Sequence, residues 1–177
     1  MSRYEIRYAA VGGQGIVTAG ALLVDIAVEK EDKYALESPT YTATVRGGPT
    51  KVDIIISDRK IIFPQASAID LFVCTSQRPY DLYRNSIKDD AIVVLDSNLV
   101  KEVEDTRNWK LYRVPLINET KKQVGSVILT SVVTLSITQK LTNIIDYRDM
   151  VDFIKEWAPK EYLEMNIKAI EVGRNLV

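Results

Sequence analysis

Along the chain, short continuous runs of apolar residues alternate with segments in which apolar residues recur at helical spacing. Residues 5–11 form a short, mostly apolar run that stops at Gly12. From Ile16 to Val28 the apolar residues are spaced as on one face of a helix. Residues 33–37 then predict a second strand. The first unit of the chain is therefore predicted to be a strand, a glycine turn, a helix and a strand.

The segment that follows, residues 38–50, shows no hydrophobic period and contains two prolines and a Gly-Gly pair. We predict a long loop there, and a loop of that length inside a compact domain is usually functional or disordered. Residues 51–57 predict a strand. Asp58-Arg59 predicts a tight turn from that strand into a hairpin partner at 60–63.

Strands and helices continue to alternate through the rest of the chain. Strands are predicted at 70–75, 91–96 and 110–114, and helices at 80–87, 124–141, 146–157 and 159–174. The alternation predicts an α/β fold, a mainly parallel Rossmann-like sheet flanked by helices with an antiparallel hairpin around 51–63. The length of 177 residues and the lack of a linker predict a single domain over residues 1–177.

The charge composition and the distribution of charges limit the kinds of partner that the chain is expected to bind. The chain has 23 basic and 24 acidic residues and a net charge of −1, so its totals carry no nucleic-acid-binding footprint. The charge-free run between Lys122 and Lys140 is at the lower edge of a membrane span and contains several Ser and Thr, which favours a buried helix. The N-terminus has no apolar signal segment, and we expect a cytoplasmic protein without a membrane partner.

The chain contains no histidine and one cysteine, Cys74. Within the chain alone this excludes Ser–His and Cys–His catalysis, a His-ligated metal and a Cys-ligated iron–sulfur cluster. We therefore expect no catalytic residue, no metal ligand and no cofactor bound by this chain by itself. Cys74 is expected to be a buried structural thiol, because no base is available to activate it. Trp157 is expected to be a packing anchor.

The first candidate site is the turn Gly12-Gly13-Gln14-Gly15. Glycines between a first strand and a helix allow a tight turn, and the helix then presents free N–H groups to an anion. Compared with the dinucleotide-binding pattern G-x-G-x-x-G, Gly13 and Gly15 match the first two glycines, but Thr18 replaces the third. Glu37 stands where an acidic residue that binds the ribose is expected. The alternative is a purely structural turn.

The second candidate site is the end of the predicted loop, where Arg46 precedes Gly47 and Gly48. Arginine recognises carboxylates and phosphates. Because loops at the carboxyl ends of parallel strands meet at one edge of the sheet, Tyr41, Arg46, Gly47 and Gly48 should neighbour the first turn. The alternative is a surface loop with a solvated arginine.

These motifs occur in an order that resembles one known family. Gly12-Gly13-Gln14-Gly15, then Arg46-Gly47-Gly48, Ile56-Ser57-Asp58 and Ile62-Phe63-Pro64 follow one another as in the gamma component of 2-oxoacid:ferredoxin oxidoreductases. Later segments are similar to the family as well, and they are Asp96–Val100, the region opening at Gly125, and Asn166–Gly173. The resemblance extends over nearly the whole chain.

The resemblance implies a subunit of a complex that converts a 2-oxoacid and coenzyme A to an acyl-CoA while reducing ferredoxin. It implies alpha, beta and delta partner subunits, with thiamine diphosphate and magnesium between alpha and beta and iron–sulfur clusters in beta and delta. The gamma component would cover the coenzyme A side of the active site. The glycine turn, Tyr41 and Arg46-Gly47-Gly48 would face that site. Association with a second copy of this chain is left open.

The loop departs from the family pattern, because Tyr41-Thr42-Ala43-Thr44-Val45 lacks the usual Pro and Glu before Arg46. Among the oxoacids, we expect 2-oxoglutarate or a branched-chain acid rather than pyruvate. Two alternatives stand beside the subunit. One is a free-standing Rossmann-type enzyme that binds a dinucleotide with Glu37, and the other is a binding module for a nucleotide or coenzyme A alone.

Overall fold

The computed structural model of the protein describes residues 3–41, 47–104 and 107–177. The strands are β1 (Tyr4–Val11), β2 (Tyr34–Tyr41), β3 (Pro49–Ser57), β4 (Ile69–Cys74), β5 (Ile87–Asp96) and β6 (Lys110–Val114). The helices are α1 (Ile16–Glu29), α2 (Gln77–Tyr83), α3 (Leu116–Glu119), α4 (Thr130–Thr142), α5 (Tyr147–Trp157) and α6 (Leu163–Leu176).

The strands form one sheet in the order β2-β3-β1-β4-β5-β6. Parallel pairing joins β1 to β4, β4 to β5 and β5 to β6. Strand β3 is antiparallel to both of its neighbours, β1 and β2. All strands except β3 therefore run in the same direction, which confirms the α/β class and the mainly parallel sheet.

The antiparallel hairpin does not have the predicted partner. The sequence pattern predicts that 51–57 pairs with 60–63, whereas the structure pairs β3 with β2, and residues 60–63 form no strand. The physical reason is that both edges of β3 are occupied, since Ile54 pairs with Ile6 on one side and with Glu37 on the other.

The predicted loop at 38–50 is also shorter than expected. Strand β2 continues to Tyr41 and β3 begins at Pro49. A proline such as Pro39 is compatible with β2 because this strand lies at the edge of the sheet.

One face of the sheet is covered by α1, α4 and α6, which enclose the larger hydrophobic core. From β1 this core receives Ile6, Tyr8 and Ala10, the alternate residues of the strand. The Tyr8 hydroxyl lies 2.7 Å from Oγ1 of Thr138 on α4, which satisfies both buried groups. Helix α4 is therefore held against the centre of the sheet.

The charge-free run between Lys122 and Lys140 is not one helix. The helical path is interrupted at Gly125, where φ is 86°, and α4 begins only at Thr130. Ten of the thirteen residues of α4 are buried, as expected for a helix packed on a sheet. Among the described residues, no helix is both long and apolar enough to cross a membrane.

The opposite face of the sheet is covered by α2 and by the connection between β3 and β4. Its smaller core contains Phe72 and Tyr80. Arg7 and Asp53 lie on this face side by side, each 6% exposed, and form a two-point ion pair. Lys51 also contacts the Asp53 carboxylate. A buried charge cluster thus joins β1 to β3.

Candidate functional site

The glycine turn between β1 and α1 has the backbone conformation that its sequence predicts. Gly13 has a φ of 95° and Gly15 a φ of 76°, a region that favours glycine. Helix α1 begins directly at Ile16, and among the described residues no side chain caps it. Its first N–H groups therefore lie beyond the helical hydrogen-bond ladder and face the space above the turn.

Gln14 is turned back toward the sheet and holds the turn in place. Its Oε1 atom accepts hydrogen bonds from the Val11 N–H at 3.2 Å and the Thr75 hydroxyl at 2.6 Å. The Ser76 hydroxyl lies 3.4 Å from the same atom. Gln14 thus links the carboxyl ends of β1 and β4, and the hydrogen bonds of its amide oxygen stabilise the turn.

The two predicted loops meet. The Gly12 N–H donates to the carbonyl of Gly48 at 3.1 Å, and Gly47 has a φ of 74°. Tyr41 is the last residue of β2, where it pairs with Thr50. Arg46 lies outside the described residues. We call Gly12–Gly15 together with Gly47 and Gly48 the glycine rim.

Gly12, Gly13 and Gly15 of the glycine rim form one wall of a cavity of about 430 Å³. Ile16 of α1, Ser131 of α4 and Trp157 of α5 also line it, together with Thr50 and Ile128, so three helices reach this cavity. A Cβ atom on Gly15 would lie 3.2 Å from the Ile128 carbonyl oxygen and 3.3 Å from the Ser131 nitrogen. Only glycine lets the starts of α1 and α4 approach each other this closely.

A second cavity of about 470 Å³ adjoins the first and shares Ile128, Leu129 and Trp157 with it. We call the combined surface of Ile128, Leu129, Trp157, Tyr162 and Met165 the apolar groove. Ile128 is 77% exposed and Trp157 45% exposed. The expectation that Trp157 is a packing anchor is therefore wrong, because the residue is nearly half exposed and lines both cavities at the end of α5.

Asn166 is the polar residue at the base of the second cavity. It is buried, and its Nδ2 donates to the Tyr162 carbonyl at 2.9 Å. Its Oδ1 atom has no hydrogen-bond partner among the described residues. Sequence reasoning missed this groove because the run around Ile128 looks uniformly buried, and only the tertiary packing leaves it open.

Glu37 does not lie at the glycine turn. Strand β3 separates β2 from β1, whereas in a dinucleotide-binding fold the second strand neighbours the first. The Glu37 carboxylate lies against α1, where a Cβ on Gly20 would come within 2.9 Å of its Oε2 atom. Burial, and secondly the charge of Asp25, raise the pKa of this carboxyl. The predicted role of Glu37 as a ribose ligand is therefore wrong.

Cys74 ends β4 in the smaller core and is fully buried. Its thiol donates to the Ser76 carbonyl at 3.2 Å. Burial raises the pKa of Cys74 to about 12, so the group is a neutral thiol at physiological pH. In the described part of the chain, no three His, Cys, Asp or Glu side chains cluster as a metal site would require.

Comparison with known proteins gives a consistent result. The sequence model of the pyruvate ferredoxin/flavodoxin oxidoreductase family matches residues 5–176. The 2-oxoglutarate synthase subunit KorC of Methanocaldococcus jannaschii is 34% identical over 176 residues, which cover 97% of this chain and 92% of that protein.

Two solved structures have the same fold. The keto/oxoacid ferredoxin oxidoreductase gamma subunit from Geobacter sulfurreducens matches with a TM-score of 0.89 at 28% identity, over 99% of this chain and 97% of that one. A 2-oxoglutarate:ferredoxin oxidoreductase from Magnetococcus marinus, solved with 2-oxoglutarate, coenzyme A and succinyl-CoA, matches with a TM-score of 0.85 at 22% identity. That match covers 99% of this chain but only 31% of the longer chain.

Proposed function

The chain belongs to the pyruvate ferredoxin/flavodoxin oxidoreductase family, and from this premise we propose that it is the gamma subunit of a 2-oxoacid:ferredoxin oxidoreductase that acts on 2-oxoglutarate. The complex would decarboxylate the oxoacid oxidatively, transfer the acyl group to coenzyme A and reduce ferredoxin. The observation that carries the proposal is the 34% identity to a 2-oxoglutarate synthase subunit over nearly the full length of both chains.

The chemistry of the chain supports a role as a subunit that supplies no cofactor ligands of its own. An iron–sulfur cluster needs several thiolates, and the sequence has one cysteine, which is buried. Thiamine diphosphate, magnesium and the clusters are therefore assigned in this proposal to the alpha, beta and delta subunits. The residues of this chain would shape and close the site rather than carry out its redox steps.

The glycine rim is the face that we assign to the active site of the complex. Coenzyme A combines anionic phosphates with a long, largely apolar arm. The first N–H groups of α1 and the absence of side chains at Gly12 and Gly13 would let an anion approach the backbone. The apolar groove continues from the rim and offers a surface for an apolar segment. Arg46, next to Gly47, would add a permanent positive charge at the edge of the rim.

The dinucleotide alternative loses its support from the position of Glu37. A ribose-binding acid must lie near the phosphate-binding turn, and Glu37 instead packs against Gly20 in the middle of α1. We therefore retain the oxidoreductase subunit as the single proposal.

Substrate choice is tested with the complex reconstituted from all of its subunits and a viologen dye as electron acceptor. We expect kcat/KM for 2-oxoglutarate to exceed that for pyruvate by at least about tenfold, a difference of about 1.4 kcal/mol in transition-state binding. Branched-chain oxoacids serve as the second comparison. Omission of this chain is expected to abolish coenzyme A-dependent reduction, and equal rates with pyruvate and 2-oxoglutarate would contradict the substrate assignment.

Replacement of Arg46 by alanine tests the role of the rim as an anion contact. Loss of a charge-assisted hydrogen bond to a phosphate or carboxylate costs about 1.5–3 kcal/mol, so KM for coenzyme A or for the oxoacid should rise about 10- to 150-fold. The control is Arg148→Ala, which removes an exposed arginine on α5. If Arg46→Ala leaves both KM values unchanged, Arg46 contacts neither ligand.

A further inference from the structure

The second cavity is lined by a buried polar side chain that is only half satisfied. Asn166 of α6 is 2% exposed, and its Nδ2 donates to the Tyr162 carbonyl at 2.9 Å. Its Oδ1 is shielded from solvent, and no donor among the described residues reaches it. A buried acceptor without a hydrogen bond destabilises the folded chain, and such groups are rare in folded proteins. Its place beside a cavity is evidence that the donor comes from a ligand.

Folding alone does not favour asparagine at this position. Residue 166 lies inside α6, and asparagine has a lower helix propensity than leucine. A leucine of similar size would extend the apolar walls of the cavity and leave no acceptor unpaired. Residues that break a local rule of this kind are expected at functional sites. Asn166 therefore has the character of a binding residue rather than of a core residue.

The rest of the cavity lining is uncharged. Apart from Ser126, Tyr162 and Asn166, it consists of apolar side chains, which are Ile128, Leu129, Trp157, Pro159 and Met165. A volume of about 470 Å³ and apolar walls with a few polar groups are typical of small-molecule sites. Among the described residues, no lysine or arginine lines this cavity, so it is poorly suited to a phosphate or a carboxylate.

The unpaired atom selects the kind of ligand group. An amide oxygen can only accept a hydrogen bond, so the group that meets Asn166 must be a donor. In coenzyme A, the nucleotide end carries the phosphates, whereas the pantetheine arm is uncharged and has secondary amides between methylene groups. An amide N–H on an otherwise apolar chain matches both the acceptor and the walls of the second cavity.

The two cavities together match a ligand with two unlike ends. The first cavity has the glycine rim and the start of α1, which suit an anion. The second adjoins it through Ile128, Leu129 and Trp157 and is uncharged. A molecule with phosphates at one end and an amide-bearing arm at the other can therefore occupy both at once.

We propose that the second cavity binds the pantetheine arm of coenzyme A, and that Oδ1 of Asn166 accepts a hydrogen bond from an amide N–H of this arm. The proposal rests on the assignment of the chain as a subunit of a coenzyme A-dependent oxidoreductase. Tyr162 lines the same cavity and is 51% exposed, so its side chain has room to turn outward and admit the amide. Asn166 is then a specificity-determining residue for the acyl acceptor.

The test measures equilibrium binding to the complex reconstituted from all of its subunits, without oxoacid or electron acceptor. The probes are coenzyme A, pantetheine and adenosine bisphosphate, which represent the whole ligand, its arm and its nucleotide end. In Asn166→Leu, Kd for coenzyme A and for pantetheine should rise at least about tenfold, because an amide N–H loses its acceptor in an apolar site. Kd for adenosine bisphosphate should stay within about twofold.

Asn175→Leu is the matched control, because it makes the same change at an exposed position of the same helix. All three Kd values should stay within about twofold of the wild type. Thermal unfolding of the isolated chains separates binding from folding. Asn166→Leu should unfold at the wild-type temperature or above it, since it removes an unpaired acceptor and favours the helix. A lower unfolding temperature with unchanged affinity would give Asn166 a structural role and overturn the proposal.

Trp157→Ala tests the apolar wall without changing Asn166. Trp157 is 45% exposed, so the variant should fold, and Kd for pantetheine should rise at least about fivefold as apolar contact is lost. Wild-type affinity for pantetheine in both folded variants overturns the proposal. It is also overturned if Asn166→Leu weakens adenosine bisphosphate and leaves pantetheine unchanged, because the cavity would then hold the nucleotide end. A wild-type complex that binds no coenzyme A would instead contradict the proposed function itself.

Discussion

Replacement of Asp53 by alanine is expected to lower the free energy of unfolding by about 3–5 kcal/mol. The Asp53 carboxylate accepts from Arg7 through Nε at 2.5 Å and Nη2 at 2.9 Å, and it also contacts Lys51. Alanine leaves the Arg7 guanidinium, which is 6% exposed, without its counter-charge. The energetic cost is the desolvation of a buried charge that has lost its partner. Urea unfolding of the full chain measures it.

Asp152→Ala is the matched control for this experiment. Asp152 pairs with Lys155 at 3.1 Å, but both side chains are more than half exposed. Removal of a solvated pair of this kind should change stability by less than about 0.5 kcal/mol. If Asp53→Ala and Asp152→Ala gave equal losses, burial of the Arg7–Asp53 pair would have no energetic consequence and the prediction would be wrong.

Alanine substitutions at the glycines of the turn are expected to destabilise the protein to different degrees, and the differences separate backbone strain from crowding by neighbouring atoms. Gly15→Ala should lower the free energy of unfolding by about 1–2 kcal/mol, because a residue with a Cβ is strained in the left-handed conformation. Crowding of the new methyl group should add about 1–3 kcal/mol. The crowding arises because the new Cβ lies 3.2 Å from the Ile128 carbonyl oxygen. The total, about 2–5 kcal/mol, should appear in the free energy of unfolding.

The neighbouring glycines provide the controls. Gly13 has a φ of 95°, but an added Cβ would have no atom of the described residues within 4 Å, so Gly13→Ala should show the backbone cost alone. Gly12→Ala meets only ordinary contacts at 3.8 Å or more and should be nearly neutral for stability. In the reconstituted complex, Gly15→Ala should also lower the rate of acyl-CoA formation, since it separates α1 from α4 at the rim. Equal stability losses at Gly12 and Gly15 would contradict the predicted geometry.

The glycine rim could be predicted from the sequence because its signals are local. Gly13 and Gly15 mark the turn between a short apolar run and a helical pattern, and the parallel topology then places the Gly47-Gly48 pair beside it. The hydrogen bond from Gly12 to Gly48 is the observed result. Turn chemistry and the direction of the strands are sufficient to place the two glycine segments side by side.

The predictions that proved wrong concern segments whose structure depends on which strands lie next to each other in the sheet. Residues 60–63 have the composition of a strand, yet both edges of β3 are already paired with β1 and β2. The same arrangement displaces Glu37, because the insertion of β3 moves β2 away from β1. Apolar spacing along a chain carries no information about which strand lies next to which.

The apolar groove and the exposed pair Ile62 and Phe63 could not be predicted for a related reason. Trp157 ends an amphipathic helix, and Ile62 and Phe63 follow a strand, so all three resemble core residues in the sequence. Their exposure is a property of the packed chain and of the surfaces it leaves uncovered. A subunit of a larger enzyme retains apolar surface that an independent domain of the same length would bury.

The central position of β1 has a consequence for the biosynthesis of the chain. Within this chain β1 is made before its partners β3 and β4, and its Tyr8 hydroxyl meets Thr138 only after α4 has been made. At ordinary elongation speeds this interval lasts on the order of 10 s. During that time β1 lacks the cover of α4 and α6 and, at first, its neighbouring strands. Cooperative folding of the sheet must therefore wait until the C-terminal half of the chain has been made.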